Sequence, residues 1–253
     1  MTTLLKTQSL TMKFSGLVAV SNFNLDLKEH ELVGLIGPNG AGKTTVFNML
    51  TGVLRPSQGE ISLNAEILNE LKPHHITARG IARTFQNIRL FKNLSVIDNI
   101  RLGHHIHMKH SIFAMAVESH HFKSEEKEIR EDAIGLLKIF HLESKADFLS
   151  KNLPYGDQRK LEILRALATK PKILLLDEPA AGLNRKETED LMKTIQEIRH
   201  QFDLTILLIE HDMKLVMGIC ERILVLDHGE TIASGRPKEI QSNPLVIKAY
   251  LGE

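Results

Sequence analysis

Gly37-Pro38-Asn39-Gly40-Ala41-Gly42-Lys43-Thr44-Thr45 decides how this chain is read. It fits the spacing G-x-x-x-x-G-K-[ST]. Residues 31–36 before it (E-L-V-G-L-I) form a short buried strand by pattern, and residues 46–50 after it open a helix. Three glycines allow the backbone to curl so that its N–H groups point inward at phosphate, and the following helix N-terminus adds positive potential. Lys43 can reach the outer phosphates, and the Thr44 hydroxyl can ligate Mg²⁺. A glycine-rich turn alone would carry little information, but strand before and helix after make this a nucleotide-phosphate site.

Bulk properties narrow the partners. The chain has 253 residues, enough for one α/β domain with an inserted lobe, and 42% of them are hydrophobic. With 32 basic and 31 acidic residues the net charge is +1, so affinity for phosphate must be local. The absence of Trp and the low aromatic content argue against stacking on single-stranded nucleic acid. Cys220 stands alone, which forbids an internal disulfide and fits a reducing compartment. The first ten residues lack the apolar core of a leader, and no apolar run approaches the ~18 residues of a membrane span. The expectation is a soluble, cytosolic chain that reaches a membrane only through a partner.

Outward from the loop, residues 4–13 and 18–27 read as an antiparallel strand pair split by Ser15-Gly16, with Phe14 at the end of the first. Taken alone, a Phe at a strand end belongs to a core. Arg55-Pro56-Ser57-Gln58-Gly59 is a turn before a short strand at 60–63. Residues 81–86 close on Phe85-Gln86-Asn87. Between 95 and about 170 the pattern turns helical: Val96, Ile97, Ile100 and His104 share one face, as do Ile129, Ala133, Leu136, Leu137 and Phe140. The charge-dense stretch 124–132 includes Glu126 and Arg130, spaced for an i,i+4 ion pair on a solvated face. His104, His107 and His110 lie roughly along one helical stripe within the histidine-rich segment 104–121. No carboxylate or Cys closes them into a ligand set, so a solvated connector is the better reading.

Leu153-Pro154-Tyr155-Gly156-Asp157-Gln158 leads into a helix read over 159–169, which Pro171 ends. Residues 172–176 and 204–209 are apolar runs suited to strands buried on both faces of a parallel sheet. They end in Asp177-Glu178-Pro179 and Glu210-His211-Asp212. An amphipathic helix fills 187–200, and 222–227 with 231–234 form a hairpin around His228-Gly229. Three apolar strands therefore end in polar residues, and in a doubly wound sheet such ends line one crevice. There Asp177 can hold the water shell of the Mg²⁺ ligated by Thr44, Glu178 can orient or deprotonate an attacking water, and His211 can contact the γ-phosphate.

Taken in order, Gly37 to Thr45, Gln86, the stretch 153–158, the strand running into Asp177-Glu178-Pro179, and His211 resemble the motifs of ATP-binding cassette (ABC) ATPases over essentially the whole chain. The resemblance implies a P-loop NTPase fold: a mainly parallel core sheet, an antiparallel N-terminal β-subdomain, and an inserted helical subdomain. The division is 1–87 with 170–253 for the core and β-subdomain, and 88–169 for the helical subdomain. It implies two cassettes, identical or different, that sandwich two ATP molecules head to tail. Phe14 then becomes an adenine-stacking aromatic. Gln86 senses the γ-phosphate and Mg²⁺, residues 181–184 contact the partner, and Tyr155 and Gly156 face the partner's ATP.

Within that family Gly80-Ile81-Ala82-Arg83-Thr84-Phe85-Gln86-Asn87-Ile88-Arg89-Leu90-Phe91 resembles the first ATPase of branched-chain amino-acid importers. So do Ala180-Ala181-Gly182-Leu183-Asn184 and the terminal Ala249-Tyr250-Leu251-Gly252-Glu253. The implied setting is the inner face of the cell membrane, on two permease subunits fed by a substrate-binding protein. Lipopolysaccharide-export and amide- or urea-uptake ATPases are the neighbouring alternatives. A non-transport cassette would need long insertions or a second cassette, and a non-hydrolysing regulator would not need Glu178. One departure stands out. The signature that usually opens Leu-Ser opens here Leu153-Pro154, without hydroxyl or N–H, and Asp157 adds a negative charge.

Overall fold

The computed structural model describes residues 2–107 and 120–251. Its central sheet has six strands in the order β10-β9-β3-β8-β7-β6. These are β3 (Leu32–Ile36), β6 (Ile81–Arg83), β7 (Ile173–Asp177), β8 (Thr205–Ile209), β9 (Arg222–Asp227) and β10 (Glu230–Gly235). All neighbours run parallel except the β9–β10 hairpin. Every residue of β3, β7 and β8 is buried, as expected of strands covered on both faces. Because successive side chains alternate, each strand feeds two cores. Leu32, Leu174, Leu176, Ile206 and Leu208 join one, while Val33, Leu35, Leu175, Leu207 and Ile209 join the other.

The second core is closed by a four-stranded antiparallel sheet, order β2-β1-β4-β5, made of β1 (Thr3–Phe14), β2 (Leu17–Lys28), β4 (Gln58–Leu63) and β5 (Glu66–Ile67). Helix α1 (Lys43–Leu50) packs Val46, Phe47, Met49 and Leu50 into the same core. Residues 65–80, not assigned in the sequence reading, hold β5 and the short α2 (Pro73–Ala78). On the opposite face lie α3 (Val96–His104), α4 (His120–Ile139), α5 (Tyr155–Leu167), α6 (Arg185–Gln201) and α7 (Met213–Ile219), with α8 (Pro237–Gln241) and α9 (Pro244–Leu251) closing the chain.

The helical periodicities hold. Val96, Ile97, Ile100 and His104 are buried on α3, and Ile129, Ala133, Leu136 and Leu137 on α4, with Phe140 just past its end. Ser95 caps α3 by accepting from the Asp98 N–H at 3.1 Å. Asn184 and Glu187 form a capping box that starts α6 two residues before the expected boundary. Two expectations need correction. Glu126 pairs with Arg101 on α3, and Arg130 reaches Asp147, so the expected Glu126–Arg130 pair does not form. A partner on a packed neighbour leaves Glu126 better shielded than a solvated i,i+4 partner would. The signature helix begins at Tyr155, with Pro154 at its N-cap, rather than at Arg159. Proline's fixed φ and missing N–H suit a helix start. His110 lies outside the described residues. Among those described, no group of three or more His, Cys, Asp or Glu side chains is arranged to hold a metal.

Candidate functional site

The C-terminal ends of β3, β8 and β7 stand side by side, which brings three sequence-distant segments to one crevice of roughly 530 Å³. Asn39 to Thr45 line it, with Gln86, Glu178, His211, His228 and the strand segment Leu17, Val18, Ala19. Gly37, Gly40 and Gly42 have φ of +151°, +81° and +102°, a backbone that L side chains rarely adopt. At Gly37 the restriction is also steric, since a Cβ would lie 2.0 Å from the Leu226 carbonyl oxygen. The loop ends on the first turn of α1, whose N-cap Gly42 leaves the initial N–H groups free of any side-chain acceptor.

Lys43 is buried, and its ammonium donates to the carbonyls of Gly37 (2.7 Å) and Pro38 (2.9 Å). Burial pulls its pKa down, with Glu178 and Asp177 opposing. Thr44 is exposed. Asp177 ends β7 at 2% exposure and accepts from the Arg83 guanidinium at 2.6 Å through Oδ2, while its buried Oδ1 has no protein partner. Arg83 also donates to Asn48 of α1 at 2.7 Å and lies over the rings of Phe47 and Phe85.

Glu178 carries a left-handed φ of 49°, unusual for a residue with a Cβ and worth roughly 1–3 kcal/mol of strain. Its Oε2 accepts from the Gln86 amide at 2.9 Å, and its Oε1 lies 2.7 Å from His211 Nε2. Gln86, Glu178 and His211 thus form one chain across the crevice, from three different segments. Glu210 beneath them was seen in the sequence only as a strand end. It is 4% exposed and accepts from the N–H groups of Ala180 (2.8 Å) and His211 (3.2 Å), tying the loop after Glu178 to the histidine. Burial pushes its carboxyl up, against those two N–H donors.

Phe14 stands at the β1–β2 turn at 42% exposure, so the core reading fails for it. It flanks the crevice without lining it, and the lining residues there are Leu17 to Ala19. Tyr155 and Gly156 lie outside this crevice. Tyr155 is exposed with its ring against Gly182, and Gly156 faces Leu183 and Glu187. Asp157 bonds Lys145 at 2.5 Å and lies 3.6 Å from Lys160, so its charge is compensated. Tyr250 of α9 lies in the terminal stretch 249–253, where the sequence alone assigns it no role. Its phenol is pushed up by burial and held back by the Gly37 N–H, which sets the terminal helix against the start of the loop.

A glycine loop on a strand-to-helix turn, a carboxylate pair ending β7 and a histidine ending β8, all on one crevice, define the ATP-binding cassette class. Residues 20–181 match the ABC transporter family, and the chain belongs to it. Residues 230–253 match a second description, "branched-chain amino acid ATP-binding cassette transporter". The chain is 49% identical over 250 residues to the high-affinity branched-chain amino acid transport ATP-binding protein LivG of Salmonella typhimurium, covering 99% of this chain and 98% of that one. It is 47% identical over 250 residues to BraF of Pseudomonas aeruginosa, of the same description, with 99% and 98% covered. Among solved structures, the ADP conformation of the cassette MJ1267 superposes with a TM-score of 0.86 over 100% of both chains at 28% identity.

Proposed function

We propose that this chain is the ATP-hydrolysing subunit of an importer for branched-chain amino acids, working on a separate permease at the inner face of the cell membrane. The near-equal identity to LivG and BraF over whole chains supports the cargo class. Among the described residues no helix is long and apolar enough to cross a membrane, and this reading gives the passage itself to the permease.

The observation that carries the ATPase reading is the Gln86–Glu178–His211 chain at the mouth of the phosphate loop. In this reading Asn39 to Thr45 present N–H donors to the phosphates, with Gly37 and Pro38 setting the entry. Phe14, with Leu17 and Val18, offers an apolar surface for adenine. Lys43 exchanges its carbonyl partners for phosphate oxygens. Glu178 holds the attacking water and takes its proton, a contribution of about 10²–10⁴ in rate. His211 keeps Glu178 oriented and donates toward the phosphate, and Gln86 reports whether that site is filled.

The residues also fit a magnesium ion. The Thr44 hydroxyl is exposed at the loop, Gln86 offers an amide oxygen, and the unpartnered Asp177 Oδ1 is a buried acceptor suited to a water of the metal's shell. When bound, the metal supplies neutralisation of phosphate charge. Tyr155 and Gly156 serve the ATP of a second cassette, so each site is completed by its partner. Because Pro154 offers no hydroxyl, the site completed by this signature is the slower of the two. The test of the whole reading is to isolate the intact complex from membranes, identify its permease and binding protein, and measure ATP hydrolysis stimulated by leucine, isoleucine or valine. Copurification with a permease for another cargo would overturn the cargo class.

A further inference from the structure

The loop leaving β6 has no regular secondary structure, yet its backbone is gripped from both polarities by one side-chain pair. Arg159 and Glu162, three residues apart on α5, are 2% and 1% exposed. Arg159 donates to the Phe85 carbonyl at 2.7 Å and to the Gln86 carbonyl. Glu162 Oε1 accepts from the N–H groups of Phe85 (3.3 Å) and Arg89 (3.1 Å). The two side chains also face each other at 3.4 Å. Arg159 further donates to the Tyr155 hydroxyl at 3.1 Å, on the exposed start of the same helix. Burial pushes the Glu162 carboxyl up, opposed by the Arg89 N–H and by Arg159.

Stability alone does not call for a charged pair here, even one completed by backbone hydrogen bonds. Two charges withdrawn from water lose more hydration than their attraction returns unless further hydrogen bonds complete them, and apolar replacements are often as stable. What the pair accomplishes is geometric. Gln86 is held at its amide by Glu178, in the chain's own crevice, and at its carbonyl by the helix that presents Tyr155 and Gly156 outward. A displacement of Gln86 therefore moves α5 with it.

We propose that Arg159 and Glu162 are positioning residues that make the sensing loop and α5 one rigid body, and so couple the two ATP sites of a cassette dimer. The inference rests on the two-site reading given above. When Glu178 and Gln86 change contacts in one site, the pair carries that change to the helix end that closes the other. The geometry makes the guanidinium fork essential, because one planar group serves two successive carbonyls and a hydroxyl, which an ammonium on a flexible stem cannot do.

The experiment compares Glu162→Gln and Arg159→Lys with wild type in the assembled transporter. Both variants should lower the Hill coefficient for ATP toward one, with the half-saturating ATP concentration within about twofold because the loop and adenine surface are untouched. In the isolated full chain, amide exchange at Phe85 to Arg89 should quicken by about 10- to 100-fold, with β3 and β8 unchanged. Accelerated exchange with wild-type cooperativity in Arg159→Lys would reduce the pair to a structural support. Unchanged exchange in both variants would overturn the clamp itself. A wild-type complex with a Hill coefficient of one would remove the coupling role, and one bound ATP per complex instead of two would remove the two-site reading beneath it.

Discussion

Glu178 Oε1 and His211 Nε2 meet at 2.7 Å although they leave different strands, β7 and β8. The contact exists because β7 and β8 pair in parallel, Asp177 opposite Ile209, which sets Glu178 level with Glu210 and one residue short of His211. Glu178 then turns into the crevice through a left-handed backbone, and Glu210 holds the loop behind it. Glu178→Gln keeps the volume and a single acceptor while removing the base. Hydrolysis should fall by about 10²–10⁴, with ATP affinity kept and the dimer trapped. Turnover assays with size-exclusion chromatography in ATP decide it. A variant that hydrolyses at the wild-type rate would remove the base assignment.

Glu210 is the residue whose role is easiest to separate from chemistry. It accepts two N–H groups with two oxygens, and an amide in its place can accept only through one. Glu210→Gln should therefore loosen either the Ala180 loop or His211. The expected result is a drop in kcat of about 10-fold or more with KM for ATP nearly unchanged, the cost of one lost hydrogen bond to a charged group. If KM rose in step with the fall in kcat, ground-state binding would be the function of Glu210 instead.

Much of this is legible in the amino-acid sequence. The apolar runs of β3, β7 and β8 are short and unbroken, so burial on both faces follows from composition, and the segment after each run brings Asn39 to Thr45, Glu178 or His211 to the crevice. What the sequence could not carry is pairing across distance. Arg83 meets Asp177 at a separation of 94 residues and Arg159 meets Phe85 at 74, and neither arginine has a local pattern to mark it. Glu126 misled for the same reason, since the i,i+4 partner in the sequence lost to Arg101 on a packed helix. Tyr155 joined its helix early because an N-cap proline reads as a breaker when the following turn is not yet known.

Pro154 sits at the N-cap of α5 with φ −53° and ψ 152°, values that serine adopts freely, and it makes no side-chain cap bond. Pro154→Ser should therefore cap the helix, adding about 0.5–2 kcal/mol, and also supply the missing hydroxyl to the composite site. In the assembled complex ATPase turnover should rise, with a ceiling of about 10- to 150-fold set by one charge-assisted hydrogen bond. The two gains separate experimentally. Higher thermal stability with no gain in turnover would show that the lost hydroxyl does not limit this site.

Glu31 gives the pH dependence a definite sign. It stands at the entry to β3, where Arg222 of β9 grips both oxygens at 2.7 and 2.9 Å and the Lys28 N–H donates at 3.1 Å. Burial pushes its carboxyl up, but Arg222 and Lys28 outweigh it, so the group is held below the ordinary value. The unfolded chain then binds a proton that the fold refuses. The stabilisation is fully present above the ordinary carboxylate pKa and is lost as pH falls through the lowered native one. Glu31→Gln should cost about 1.5–3 kcal/mol at neutral pH, the worth of hydrogen bonds to a charged group. The gap to wild type should close as urea unfolding is repeated below about pH 4. Glu162 and Glu210, both pushed up by burial, give the opposite slope, but they are common to both proteins and cancel in the difference. A gap that stayed constant down to acid pH would mean that Glu31 stabilises β3 by shape and not by charge.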